Sequence, residues 1–364
     1  MRDPAQLPTE VDSTVNSGVN LGASDVRVAF DQAALADWLS ANVHGFSGPL
    51  EVAQFNGGQS NPTYSLNTPT AQYVLRRKPP GQLLKGAHDV LREARVLAAL
   101  APTPVPVPAV LGVCEDDGVI GSAYYVMDMV DGRIFWDAAF ENLPTGERAA
   151  YYDAMNRTIA AIHCVDVEAA GLADYGRPGN YFARQIARWS KQYLADELAG
   201  RDAALDALVE WLPSAIPEGD ENSLVHGDFR CDNMIFHPTE PRVLAVIDWE
   251  LSTLGHPLAD FAYLAMMYRM PGDIVAGIGG RDPVALGLPT EQAYIAAYCR
   301  RTGRPGIDHW NFYLAFNFFR LAAIVHGIKG RVIRGTATNV RAREQAEALP
   351  RLSALAREAM DACK

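Results

Sequence analysis

One stretch, Leu224 to Asp248 (LVHGDFRCDNMIFHPTEPRVLAVID), constrains the fold of this chain more than any other. It reads as a short strand into His226, a tight loop through Gly227, Asp228 and Phe229, and then Asn233. A hairpin follows: Met234 to Phe236, a His-Pro-Thr-Glu-Pro turn, and Val243 to Ile247, ending on Asp248. Prolines in the turn and apolar, β-branched runs on either side are hairpin signals. A hairpin here brings Asp228, Asn233 and Asp248 together at one end.

Phosphoryl transfer is the chemistry that suits this cluster. Asn233 and Asp248 offer oxygen atoms to Mg2+, a hard cation that shares its shell with phosphates. Asp228, held nearby but off the metal, suits a base that accepts the proton of an attacking hydroxyl. His226-x-Asp228-Phe229-x-x-x-Asn233 fits the kinase catalytic-loop pattern H-R-D-L-x-x-x-N, with Gly227 replacing the arginine and Phe229 the leucine.

Together with Ile247-Asp248-Trp249-Glu250 and Gly255-His256-Pro257-Leu258-Ala259-Asp260, this loop resembles the aminoglycoside phosphotransferase family. The resemblance runs from about Phe55 to Ala262 and more loosely to the C-terminus. It implies an α+β, protein-kinase-like two-lobe fold: a small antiparallel β-sheet lobe with a helix, then a larger, mainly helical lobe. Leu75-Arg76-Arg77-Lys78-Pro79-Pro80-Gly81 and Asp248-Trp249-Glu250-Leu251-Ser252-Thr253-Leu254-Gly255 are most similar to the kinase-like domain fused to some acyl-CoA dehydrogenases. That likeness implies a hydroxylated fatty acyl acceptor. Other members of the family act on choline, homoserine and fructosamine.

The cofactors implied are ATP and Mg2+, with a small hydroxylated molecule as acceptor. On this reading Asp228 is the base, Arg230 neutralises the transferring phosphate, and Asn233 and Asp248 hold the metal. Asp260 resembles the family aspartate that braces the catalytic loop. His226 supports the loop rather than moving protons. Asp128 to Gly132 resembles the hinge between lobes, where the backbone around Met127 and Met129 meets the adenine. An ordinary domain crossing is the plainer reading of that linker.

Composition narrows the field. A formal net charge of -11 disfavours nucleic acid as a partner, since phosphate backbones demand a basic surface. The five cysteines are widely spaced, without CxxC or metal-ligand spacing, and read as reduced thiols. No run reaches the roughly 18 apolar residues of a membrane helix, and the first residues lack a signal peptide's apolar core. Cytoplasm is the expected compartment. A G-x-S-x-G elbow, the mark of one hydrolase class, is absent.

In chain order, residues 1–25 read as a polar, flexible arm, 26–129 as the nucleotide-binding lobe and 130–364 as the lobe with the catalytic loop, metal site and acceptor site. Asp31 suits the cap of a helix through Leu39. Gly57, Gly58, Gln59 and Ser60 lie between two strands, where backbone N–H groups could cover phosphates; a plain hairpin turn is the other reading. Tyr73-Val74-Leu75-Arg76 sits where a kinase has V-A-I-K, so Arg76 or Lys78 would contact the α- and β-phosphates. Glu93, on a helix from Asp89 to Leu100, is either the partner that the resemblance assigns to that basic residue or a solvated side chain.

Helices are expected over 147–163, 181–198, 203–212, 257–267, 291–301, 308–329 and 339–360. His163 reads as a cap or core histidine, and the aromatic run from Trp310 to Phe319 as core. Glu250 is either a helper ligand or a surface group. Arg320, His326, Lys329, Arg331 and Arg334 form a basic run that is either a solvated face or a surface facing an anionic substrate. No long phosphorylatable loop follows Asp248-Trp249-Glu250, which disfavours a protein kinase controlled by an activation loop.

Overall fold

Strict alternation along the strands builds the smaller lobe. The computed structural model describes residues 23–24, 30–55, 61–79, 89–274, 277–337 and 341–363. Its sheet contains β1 (Ala23–Ser24), β2 (Glu51–Phe55), β3 (Thr63–Asn67), β4 (Gln72–Arg77), β5 (Val110–Cys114) and β6 (Tyr124–Asp128). The order is β1-β2-β3-β4-β6-β5, antiparallel throughout. Tyr73 and Leu75 of β4 and Tyr124 and Val126 of β6 share one core with Leu35 and Leu39 of α1 (Gln32–Asn42). Val74, Tyr125 and Met127 point the other way, into the core that includes Val96 and Leu97 of α2 (Val90–Leu100). This two-residue period puts Arg76 on the α2 face. Asp31 caps α1 by accepting from the Ala33 and Ala34 N–H groups, and Asp89 caps α2 through the Arg92 N–H.

A one-turn α3 (Asp117–Ile120) joins β5 to β6, and the chain then enters the helical lobe. There α4 (Arg148–His163), α5 (Tyr181–Ala195) and α6 (Ala203–Trp211) precede β7 (Ser223–Val225) and the hairpin β8 (Met234–Phe236) and β9 (Val243–Val246). The strand β10 (Thr253–Gly255) returns to pair with β7, a pairing with no local sequence signal. Next come α7 (Pro257–Ala265), α8 (Glu291–Thr302), α9 (Trp310–Ile333), α10 (Ala342–Glu347) and α11 (Leu349–Asp361). The lobe is organised around α9, whose Phe312, Tyr313, Phe316, Phe318 and Phe319 are all buried. Among the described residues, no helix is long and apolar enough to cross a membrane.

The structure departs from the expected elements at both ends of the chain. Ala23 and Ser24, assigned to the polar arm, pair with Phe55 and Gln54 at the sheet edge. The helix expected over 339–360 is broken into α10 and α11, with Pro350 in the first turn of the second. A proline ring collides with the carbonyl four residues back and kinks or breaks a helix, and here the helix is broken just before it.

Pro257 opens α7, and His256 caps it, its Nδ1 accepting from the Leu258 N–H at 3.2 Å. Burial pushes the imidazole down to about 4, although Glu221 works in the opposite direction. The unfolded chain therefore binds the proton first, so this group's share of stability is complete above pH 6.5 and is lost as pH falls toward 4. His256→Asn retains a capping oxygen and should flatten that part of the profile, measured by urea unfolding between about pH 7 and about pH 5.

Candidate active site

The loop after β7 is built to be held from outside. Gly227 has φ of 86°, and a Cβ there would lie 2.7 Å from the Leu251 carbonyl oxygen. That explains glycine where the kinase pattern has arginine. Asp260 of α7 accepts from the backbone N–H groups of His226 at 2.7 Å and Gly227 at 2.9 Å. Its other neighbour is His163 Nε2 at 3.3 Å, and His163 Nδ1 meets the Tyr298 hydroxyl at 2.7 Å. Burial would raise the Asp260 carboxyl, but the hydrogen bonds and charges of His163 and His226 hold it below its ordinary range. From α9, Arg320 donates to the Gly227 carbonyl at 2.7 Å. Arg320 is thus part of the loop's support, not of a solvated or substrate-facing basic run. Arg334 is likewise committed, to Asp196 at 2.8 Å.

His226 is completely buried, with Nε2 bonded to the Ile247 carbonyl at 3.0 Å and Nδ1 accepting from the Asp228 N–H at 3.3 Å. Those partners place the proton on Nε2 and join the loop to the end of β9.

At the tip of the loop, Asp228 has a partner on each oxygen. The Tyr263 hydroxyl donates to Oδ1 at 2.6 Å, and Asn233 Nδ2 donates to Oδ2 at 3.2 Å. Burial first, and then the Asp228 charge, raise the Tyr263 hydroxyl, so it remains a neutral donor. The Asn233 amide nitrogen also donates to the Asp228 carbonyl at 2.8 Å, leaving its oxygen as the atom suited to a cation. Arg230 lies 3.7 Å from Asp228 and is bound to Asp232 at 2.5 Å.

The opposite wall carries Arg76. Its guanidinium meets Glu93 at 2.9 Å, Asp248 at 2.5 Å and Glu250 at 3.7 Å. Glu93 also accepts from Asn61 at 2.7 Å and from the Tyr125 hydroxyl at 3.3 Å. Burial pushes Glu93 up to about 7, with Asp248 and Glu250 adding to the rise and Arg76 opposing it. Asp248 adopts left-handed backbone angles, φ 65° and ψ 58°, as strained residues at functional sites often do.

Asn233 and Asp248 are hard oxygen donors, and the carboxylates around Arg76 outnumber its single positive charge. Among the described residues, no group of three or more His, Cys, Asp or Glu side chains is placed to hold a metal. Magnesium fits this sparse set, because it keeps substrate phosphates and waters in its shell and needs few protein ligands.

These parts face one cleft of about 340 Å³, lined by Arg76, Met127, Met129, Asp228, Arg230, Asn233 and Asp248 among others. Glu93 stands behind Arg76. Lys78 is exposed and does not line the cleft. Gly57, Gly58, Gln59 and Ser60 lie outside the described residues. Beside Asp228, a narrow apolar pocket is lined by Arg230, Tyr263, Met266, Met267 and Met270. Asn61, Tyr263 and Arg320 escape the sequence reading as site residues. Tyr263 had one available signal: it follows Asp260 by three positions on α7, and so shares the face toward the loop.

The sequence profile of the phosphotransferase enzyme family (APH) matches residues 51–313. The chain belongs to this family. As an APH-family member it is 42% identical over 361 residues to mouse acyl-CoA dehydrogenase family member 10, covering 97% of this chain and 34% of that protein. It is 41% identical to human acyl-CoA dehydrogenase family member 11, over 84% of this chain and 40% of that one. The chain thus spans well under half of these curated relatives. Among solved structures, a candidate aminoglycoside phosphotransferase from Ralstonia eutropha superposes with a TM-score of 0.85 at 50% identity, covering 92% of this chain and 99% of that chain. A thermostable mutant of aminoglycoside phosphotransferase APH(4)-Ia, in ternary complex with AMP-PNP and hygromycin B, shares the fold at a TM-score of 0.57 and 18% identity, over 89% of this chain and 98% of that one.

For this APH-family chain, Asp260→Asn places an amide against two backbone donors and should cost about 2–4 kcal/mol of stability. Chemical denaturation measures the loss.

Proposed function

We propose that this chain transfers the γ-phosphate of MgATP to a hydroxyl of a small molecule, and that the molecule is a hydroxyacyl compound. The observation that carries the reading is the convergence of Asp228, Asn233 and Asp248 on one cleft that Arg76 also lines. Family membership agrees with it.

Asp228 orients the acceptor hydroxyl and takes its proton as the oxygen attacks the γ-phosphorus. The new O–P bond forms, the bond to the β–γ bridging oxygen breaks, and ADP leaves. Tyr263 and Asn233 fix the Asp228 carboxylate in position, and Arg230 offers positive charge beside it. Asn233 and Asp248 would hold magnesium, whose chemistry there is to neutralise phosphate charge and align the phosphates. Arg76 steadies the α- and β-phosphates, backed by Glu93.

What supports a hydroxyacyl acceptor is that relatives are named as acyl-CoA dehydrogenase family members.

The test is magnesium-dependent ATP turnover with hydroxylated fatty acids, their CoA esters, aminoglycosides, choline and homoserine. Transfer to a hydroxyacyl compound is expected, and Asp228→Asn should lower turnover about 10²–10⁴-fold with little change in ATP affinity. Transfer to another member of the panel would reassign the acceptor. Unaltered turnover in the variant would remove Asp228 from the mechanism. MgATP binding without transfer to any acceptor would favour a nucleotide-binding module.

A further inference from the structure

Arg230 stands between two carboxylates and is bonded to only one of them. The backbone at Arg230 is extended, and a short 3₁₀ turn, Cys231–Asn233, follows it. The Asn233 N–H donates to the Arg230 carbonyl at 3.0 Å and closes that turn. Cys231 is buried, and the side chains on either side of it, Arg230 and Asp232, both line the cleft.

The Arg230 Nη2 donates to Asp232 Oδ2 at 2.5 Å. Its Nε stands 3.7 Å from Asp228 Oδ1, beyond hydrogen-bond distance. That Nε is buried and has no hydrogen-bond partner. Among the described residues, no carboxylate other than these two pairs with the guanidinium. A buried cation is drawn to any carboxylate within reach, and an unbonded N–H adds to the pull. A small movement would therefore join Arg230 to Asp228, and the bond to Asp232 opposes that movement.

The chemical consequence is a matter of lone pairs. Asp228 Oδ1 already accepts from the Tyr263 hydroxyl at 2.6 Å, and Oδ2 accepts from Asn233 at 3.2 Å. A carboxylate has about four lone-pair sites, so only two or so are left for an acceptor hydroxyl. A guanidinium in contact would occupy one of these and crowd the other. Its charge would also face the carboxylate instead of the phosphate.

We propose that Asp232 is a positioning residue for phosphoryl transfer: it holds Arg230 clear of Asp228. The base thereby keeps an oxygen free for the acceptor hydroxyl, and the guanidinium keeps its charge for the transferring phosphate. This rests on the reading of Asp228 as the base and Arg230 as the cation beside it. Asp232 acts through Arg230 and takes no part in the bonds made and broken.

Asp232→Asn in the full chain tests this, with thermal unfolding to show that the variant is folded. Its crystal structure should place Arg230 Nε within about 3 Å of an Asp228 oxygen, a readout that needs no turnover. In the phosphoryl-transfer assay, kcat should fall about tenfold while KM for ATP changes less than about twofold. Introduced into Arg230→Gln, the same substitution should cost less than about twofold, because the residue it acts through is gone. Asp232→Glu retains the charge pair, should keep Arg230 clear of Asp228 and should stay within about threefold of wild-type turnover; it also serves if the asparagine variant does not fold. An unmoved Arg230 in the asparagine variant, an equal loss in both Arg230 backgrounds, or a glutamate variant no better than the asparagine one would each overturn the proposal. A wild-type chain that transfers phosphate to no acceptor would overturn the reading of Asp228 as the base. The crystallographic result would then decide by itself whether Asp232 places the guanidinium.

Discussion

The Arg76 guanidinium is the charged link between the two lobes at the cleft, beside the hydrogen bonds that Asn61 and Arg92 make across them. Arg76 leaves the sheet on the α2 face and meets Glu93 of its own lobe, then Asp248 and Glu250 of the other. Burying arginine is costly, and only close carboxylates offset that cost. The compensation is mutual: Glu93, almost wholly buried, relies on Arg76, Asn61 and Tyr125 for every contact that stabilises its charge. With more carboxylates than cations around it, the cleft draws positive charge toward Asp248. The left-handed backbone at Asp248 persists because β9, the His226 bond to Ile247 and the Arg76 contact together determine it.

The catalytic loop follows a different logic. A loop between short strands carries backbone groups that its own residues cannot satisfy. Here they are satisfied from a distance, by Asp260 on α7 and Arg320 on α9. His163 on α4 and Tyr298 on α8 then support Asp260. The helical lobe thus serves as a mould for a few backbone atoms, and the position of Asp228 follows from the packing of helices remote from it in sequence.

This division explains what could be read from the chain alone. The hairpin, its turn and the cap at Asp31 depend on neighbours in sequence, and each was legible. Asp260 was legible because it stands in a stretch that resembles a known family. The signal at Pro350 was also local, although the expectation of one long helix did not use it. Asn61 and Arg320 were not legible as site residues, since their partners lie 32 and 93 residues away, and Tyr263, 35 residues from Asp228, had only its spacing from Asp260 to mark it. The same arginine that composition assigns to a basic surface becomes a donor to a buried carbonyl once α9 is packed. The pairing of β7 with β10 was hidden for the same reason.

His226 also has a mechanical consequence. By joining the loop to the end of β9, it places Asp228, Asn233 and Asp248 on one rigid body, while Arg76 and Glu93 ride on the other. Motion of the lobes would therefore leave the spacing of the first three unchanged and be felt across Arg76, Asn61, Arg92 and their partners. Since Asp248 also bonds Arg76 of the other lobe, whatever competes with Arg76 for that carboxylate loosens one strap between the lobes. Closing the strap, by reciprocity, weakens the competitor's hold by the same factor.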